Sequence, residues 1–75
     1  KWYVVTVGRC TGVFYNWGYV SQLVSHISGN CHISFTDEQE AYDYYNGQKA
    51  AGLVKVHRNP GDDDSEFGPV ESAIV

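Results

Sequence analysis

A chain of 75 residues has room for one hydrophobic core and no second domain, and a core that small leaves a net stability of only about a few kcal/mol. Apolar residues make up 43% of it and aromatic ones 15%, a surplus of rings that serves either a small core or a binding platform. The formal charge of −4 is concentrated late, with three bases against four acids in residues 1–49 and two against five in residues 50–75, so no basic patch of the kind that marks phosphate binding is visible.

Taken in chain order, Trp2-Tyr3-Val4-Val5-Thr6-Val7 is rich in β-branched and aromatic side chains with apolar groups at both parities. That pattern predicts a strand covered on both faces, or one whose second face is a binding surface. Gly8-Arg9-Cys10-Thr11-Gly12 is a glycine-bounded connection, and Val13-Phe14-Tyr15 resumes strand character, which together predict an antiparallel hairpin. Asn16 is a good helix N-cap, and Val20, Leu23, Val24 and Ile27 follow at the spacing that puts four apolar groups on one helical face. Gly29 is the expected stop, with His26 in the last turn. Cys31-His32-Ile33-Ser34-Phe35 alternates as a third strand. Thr36-Asp37-Glu38-Gln39 reads as a capping box for a second helix reaching about Ala51, with Ala41, Tyr44, Tyr45 and Gln48 inward and Gly52 ending it.

Leu53-Val54-Lys55-Val56 is available as a short fourth strand at an edge. Beyond it, residues 59–65 (Asn-Pro-Gly-Asp-Asp-Asp-Ser) read as a solvated acidic turn, and Phe67 and Ala73-Ile74-Val75 as anchors of an extended tail. The fold class is therefore α+β, a small three-stranded antiparallel sheet with two short helices in the order β-β-α-β-α. The natural division is a domain over residues 1–52 and a strand-and-tail extension over residues 53–75.

Chemistry-bearing clusters are sparse. Cys10 and Cys31 permit one disulfide, although a reduced, intracellular protein fits two cysteines better than a secreted scaffold does. Cys10, His26, Cys31 and His32 lack metal-ligand spacing, and the neighbours Cys31 and His32 point to opposite faces of a strand. The carboxylates fall where helix caps and solvated turns explain them, with no convergent nucleophile. No enzyme, cofactor, metal or membrane role is expected. The absence of any Met and the start at Lys1 suggest a piece of something longer.

The words Lys1-Trp2-Tyr3-Val4-Val5, Gly8-Arg9, Thr11-Gly12-Val13-Phe14, Trp17, Phe35 and Glu40-Ala41, in this order and without a gap over residues 1–45, resemble the hybrid-binding module at the N-terminus of eukaryotic ribonuclease H, found also in caulimovirus viroplasmin. The tail resembles extensions of fungal proteins that carry the module. The resemblance implies a domain that binds RNA/DNA hybrid, and more weakly double-stranded RNA, without cutting either or reading sequence. It implies an aromatic surface from Tyr3 and Trp17 on the DNA strand, backbone groups near Asn30 and Cys31 at ribose 2′-hydroxyls, and contacts from Arg9, His32 and Ser34. An aromatic face packs on deoxyribose where a 2′-hydroxyl would clash, and main-chain groups recognise that hydroxyl without reading a base.

The chain departs from the family where phosphate charge is concerned. His32, Ile33 and Ser34 stand where the family has phenylalanine and two lysines, and Thr6 and Val7 replace basic residues of the first strand. Taken as residues alone, Tyr3 and Trp17 suit core or surface, and Arg9 suits a phosphate contact or a solvated loop. Two further expectations follow from the lost lysines: a protein-binding surface that includes Ile33, and self-assembly through the edge of residues 2–7 or donation of Ala73-Ile74-Val75.

Overall fold

The computed structural model describes residues 1–70, 73 and 74. Its elements are β1 (Trp2–Gly8), β2 (Gly12–Phe14), α1 (Trp17–Val24), β3 (Cys31–Phe35), α2 (Glu38–Ala50), β4 (Lys55–Val56) and a short α3 (Asp64–Phe67). The sheet order β2-β1-β3 is antiparallel, so the α+β reading from the sequence holds. β1 is central, with Tyr3 opposite Phe14 on one side and Ser34 on the other. β4 adds in parallel beside Val7 and Gly8, and because Cys31 already occupies the other side of Val7, it extends the β2 edge.

The two apolar parities of β1 each have a helix to bury against. Val5 packs with Val20, Leu23 and Val24 of α1, while Val4 packs with Ala41 and Tyr45 of α2. Val4, Val5, Val20 and Leu23 are wholly buried, and each such side chain contributes about 1.5–3 kcal/mol. Gly8 is required where β1 leaves this layer: a Cβ there would stand 2.8 Å from the Leu23 carbonyl oxygen and 2.9 Å from a Val5 methyl.

Local signals held in part. Asn16 caps α1, its side chain accepting from the Gly18 and Tyr19 amides at 2.8 and 3.4 Å. The helix stops earlier than Gly29, at Val24, and His26 lies beyond it in the left-handed region at φ 61°, where it turns the chain so that Ile27 returns to the core. The capping box does not form. Asp37 is the N-cap of α2 without a side-chain bond to the backbone, and Gln39 donates to Asp43 one turn on. Gly52 ends α2 as expected: at φ 74° its amide bonds the Lys49 carbonyl and Leu53 bonds Gln48, the paired closure of a Schellman motif.

Residues 53–74 fold back onto the core. Ala73 is buried with Val5 and Leu23, its carbonyl accepts the Thr11 amide at 2.9 Å, and Ile74 bridges Thr11 in parallel. The Thr11 hydroxyl, wholly buried, lies 3.4 Å from the same carbonyl and 3.0 Å from the Tyr45 phenol. One hydroxyl has one proton, so with Thr11 donating to Ala73 the phenol donates to Thr11. Two expectations of self-assembly meet this geometry. Residues 2–7 form the central strand, with Tyr3, Val4 and Val5 paired to β2 and β3 and Val7 to β3 and β4, and Ala73 and Ile74 are already engaged within the chain; Val75 lies outside the described residues.

Candidate functional site

Side chains alternate across β1, so Tyr3 shares the α1 face with Val5, and their cross-strand neighbours Phe14, Ser34 and His32 share it too. The eight residues of α1 cover only the Val5 end. At the other end the helix begins, and Trp17, its first residue, lies over the gap between the strands: its ring centroid is 5.3 Å from that of Tyr3 and 5.8 Å from that of His32, tilted by about 45° to each. Trp17 is 48% exposed and Tyr3 half-buried against the core, so both sequence readings are right in part: Tyr3 joins core and surface, and Trp17 is surface.

His32 is held from a second direction. Asn30 donates from Nδ2 to the Ile27 carbonyl at 3.0 Å, which leaves its Oδ1 as an acceptor 3.1 Å from His32 Nδ1. The proton of the neutral ring therefore sits on Nδ1, and Nε2 carries the lone pair. Ser34 is exposed on the same face. The Asn30 amide bonds Ile27, and the Cys31 carbonyl accepts the Thr6 hydroxyl at 3.3 Å. Among the described residues β3 pairs only with β1, so alternate main-chain groups along it point away from the sheet. The result is an aromatic shelf of Tyr3, Trp17 and His32, flanked by Ser34 and an open strand edge.

Arg9 is not on that shelf. From the β1–β2 connection its guanidinium pairs with Asp62 at 3.0 Å, donates to the Gln22 and Ser25 carbonyls at the end of α1, and lies over the Phe67 ring. Arg58 faces the same ring and donates to the carbonyls of Arg9, Phe67 and Gly68 and to Asp64. Cys10 is a free buried thiol donating to the Phe67 carbonyl, and Cys31 is free and exposed. The acidic turn is thus structural in part. The Asn59 amide, and then the Arg9 guanidinium, hold the Asp62 carboxyl below the usual carboxylate range against the opposing pull of burial. The Ser65 amide does the same for Asp63 as it caps α3. Burial, and then the neighbouring Cys10 thiol, push the Tyr19 phenol up. Sequence reasoning missed this clamp because Arg9 and Asp62 stand 53 residues apart, where no periodicity connects them.

A cleft of about 280 Å³ opens beside the clamp, but Asp62 and Glu66 line it together with Arg9, which disfavours an anion. Among the described residues no three His, Cys, Asp or Glu side chains gather as a metal-holding group, and no helix is long and apolar enough to cross a membrane.

Through Ala50 the elements run β-β-α-β-α and present adjoining rings beside a strand edge, the arrangement of a small α+β domain with an aromatic face. Residues 1–45 match the family described as the Ribonuclease H1 N-terminal domain, and the chain belongs to that family of hybrid-binding, non-catalytic domains. The matched segment holds the whole shelf, whereas Arg58, Asp62 and Phe67 of the clamp lie beyond it. Neither a curated protein nor a solved structure matches the chain.

Proposed function

We propose that the domain binds RNA/DNA hybrid, and double-stranded RNA more weakly, without sequence specificity, by laying a sugar-phosphate backbone across Tyr3, Trp17 and His32. The observation that carries the reading is Trp17, exposed at the start of α1 and in ring contact with both of its partners. Its indole offers a flat face to deoxyribose, and Ser34 with the outward main-chain groups of β3 offers donors and acceptors to ribose hydroxyls. The first turn of α1 carries no acidic residue, so the positive end of its dipole is left for a phosphate.

Affinity comes mainly from packing. Arg9 and Arg58, two of the five basic residues, are spent on the clamp. Few counterions are released on binding, and the dependence on salt is shallow. Fluorescence anisotropy with hybrid, duplex RNA and duplex DNA at low salt tests this, the expected order being hybrid, then RNA, then DNA. Absence of hybrid binding at high micromolar protein overturns it.

A second reading has one observation in its favour. Ile33 is 43% exposed on the edge strand, on the α2 face and away from the shelf, as a docking residue for a polypeptide or a second copy would be. Sedimentation of the wild type and of Ile33→Lys tests the self-associating form. A wild-type monomer at high concentration removes it.

A further inference from the structure

The shelf carries one imidazole, the side chain whose ordinary charge change falls between about pH 5 and 8, and that ring is held between Asn30 and Trp17. Asn30 Oδ1 accepts from His32 Nδ1–H in either charge state, so a second proton arriving at Nε2 breaks no hydrogen bond. The Trp17 ring centroid lies 5.8 Å from that of His32, within the distance at which a cation and an aromatic ring interact.

Among the described residues, the charged groups nearest in the fold lie on other faces or are already paired. α1 has no charged residue, and Tyr19 is its only titratable group. From β1 the ionisable neighbour on the same face is the Tyr3 phenol, and on β3 itself Cys31 points to the opposite face. The charges of α2, namely Glu38, Glu40, Asp43 and Lys49, lie beyond the other face of the sheet, where the helix packs on Val4. Lys1 precedes β1, and Asp37 follows the far end of β3. The clamp holds Arg9 and Arg58 away from the shelf.

Resting on the nucleic-acid reading above, we infer that His32 makes this shelf a proton-dependent phosphate contact, so that the domain captures a nucleic-acid backbone more tightly as pH falls below neutrality. One cation added to an otherwise uncharged aromatic surface is a large relative change. Imidazole is the side chain whose ordinary charge change falls between about pH 5 and 8. A nearby phosphate favours the charged form, so binding takes up a proton and affinity rises toward acid.

The test is an anisotropy titration of hybrid bearing a pH-insensitive rhodamine, at fixed ionic strength, near pH 8 and near pH 6. Wild type binds roughly five- to tenfold tighter at the lower pH, with a salt slope steeper by about 0.9, one released counterion. His32→Phe keeps a ring but no titratable nitrogen, and its affinity stays at the wild-type alkaline level at both pH values. His32→Lys is charged throughout and stays near the acid level. Urea midpoints of both variants, substituted at an exposed position, match the wild type. Hybrid binding by wild type that ignores pH overturns this inference alone, as does a pH effect that survives in His32→Phe. No hybrid binding at either pH, even by His32→Lys, brings down the nucleic-acid reading with it.

Discussion

Trp17 and Tyr3 lie ring against ring, with centroids 5.3 Å apart, yet only Tyr3 is also packed against the Val5–Leu23 core. Their substitutions therefore separate. Trp17→Ala removes an exposed ring, costs the fold under about 1 kcal/mol, and weakens hybrid binding by about 1–3 kcal/mol, roughly ten- to a hundredfold. Tyr3→Ala costs about 2–4 kcal/mol of stability as well, because the side chain leaves a cavity beside buried valines. Anisotropy and urea denaturation on the same samples check both. A Trp17→Ala protein that binds as wild type removes the shelf from the interface.

Arg58 holds the tail by what it donates. Its side chain is 9% exposed and serves the carbonyls of Arg9, Phe67 and Gly68, whereas the Asp64 carboxylate it pairs with is 67% exposed. Arg58→Ala takes the side-chain donor from the Arg9 and Gly68 carbonyls, leaves the Phe67 carbonyl with the Cys10 thiol alone, and lowers stability by about 2–4 kcal/mol. Asp64→Asn removes a solvent-screened partner and costs under about 1 kcal/mol. Urea midpoints with an unchanged m-value check the contrast. Equal losses would mean that the ion pair, and not the carbonyl bonds, carries the attachment.

Acid sensitivity follows from the same turn. Asp62 and Asp63 titrate below their ordinary value in the folded chain, so the unfolded chain binds their protons first as pH falls. The stability they contribute is complete above the ordinary aspartate value of about 3.9 and is lost as pH drops through the lower folded values. Urea midpoints measured downward from about pH 6 decline through that acid window. In Asp62→Asn the decline is shallower and the midpoint at neutral pH is lower, because Arg9 and the Asn59 amide lose their acceptor charge.

The elements read best from sequence are those whose signals are local. Val20, Leu23 and Val24 share a helical face because a repeat of about 3.6 residues requires it, and Gly52 stops α2 because a left-handed residue favours glycine. The Thr36–Gln39 box failed because Asp37 took the cap position, a shift of one residue that the pattern could not exclude. For the site, the resemblance placed Tyr3, Trp17, His32 and Ser34 on one surface, but their types alone did not, since rings serve core and shelf equally. Arg9 was legible as a cation and not as a clamp, because Asp62 and Phe67 reach it only after the tail has folded back.

The tail yields the sharpest prediction, because the family match ends at residue 45 while the fold leans on residues beyond it. A chain cut after residue 52 loses β4 from beside Val7 and Gly8, Ala73 from the core, the acceptor of the Thr11 amide, and Arg58, Asp62 and Phe67 of the clamp. The Thr11 amide would then have only water to bond, the Arg9 guanidinium would keep the Gln22 and Ser25 carbonyls but lose its carboxylate and its ring, and Val5 and Leu23 would lose part of their cover. Together these cost about 3–6 kcal/mol. A domain of this length starts from the low end of the usual 5–15 kcal/mol, so the shortened chain is partly unfolded at room temperature. Amide proton dispersion and a urea transition check it: the full chain gives one cooperative transition, and residues 1–52 give a lower midpoint with collapsed dispersion. Should the short chain keep the full midpoint, the strand-and-tail extension is an appendage, and the shelf folds without it.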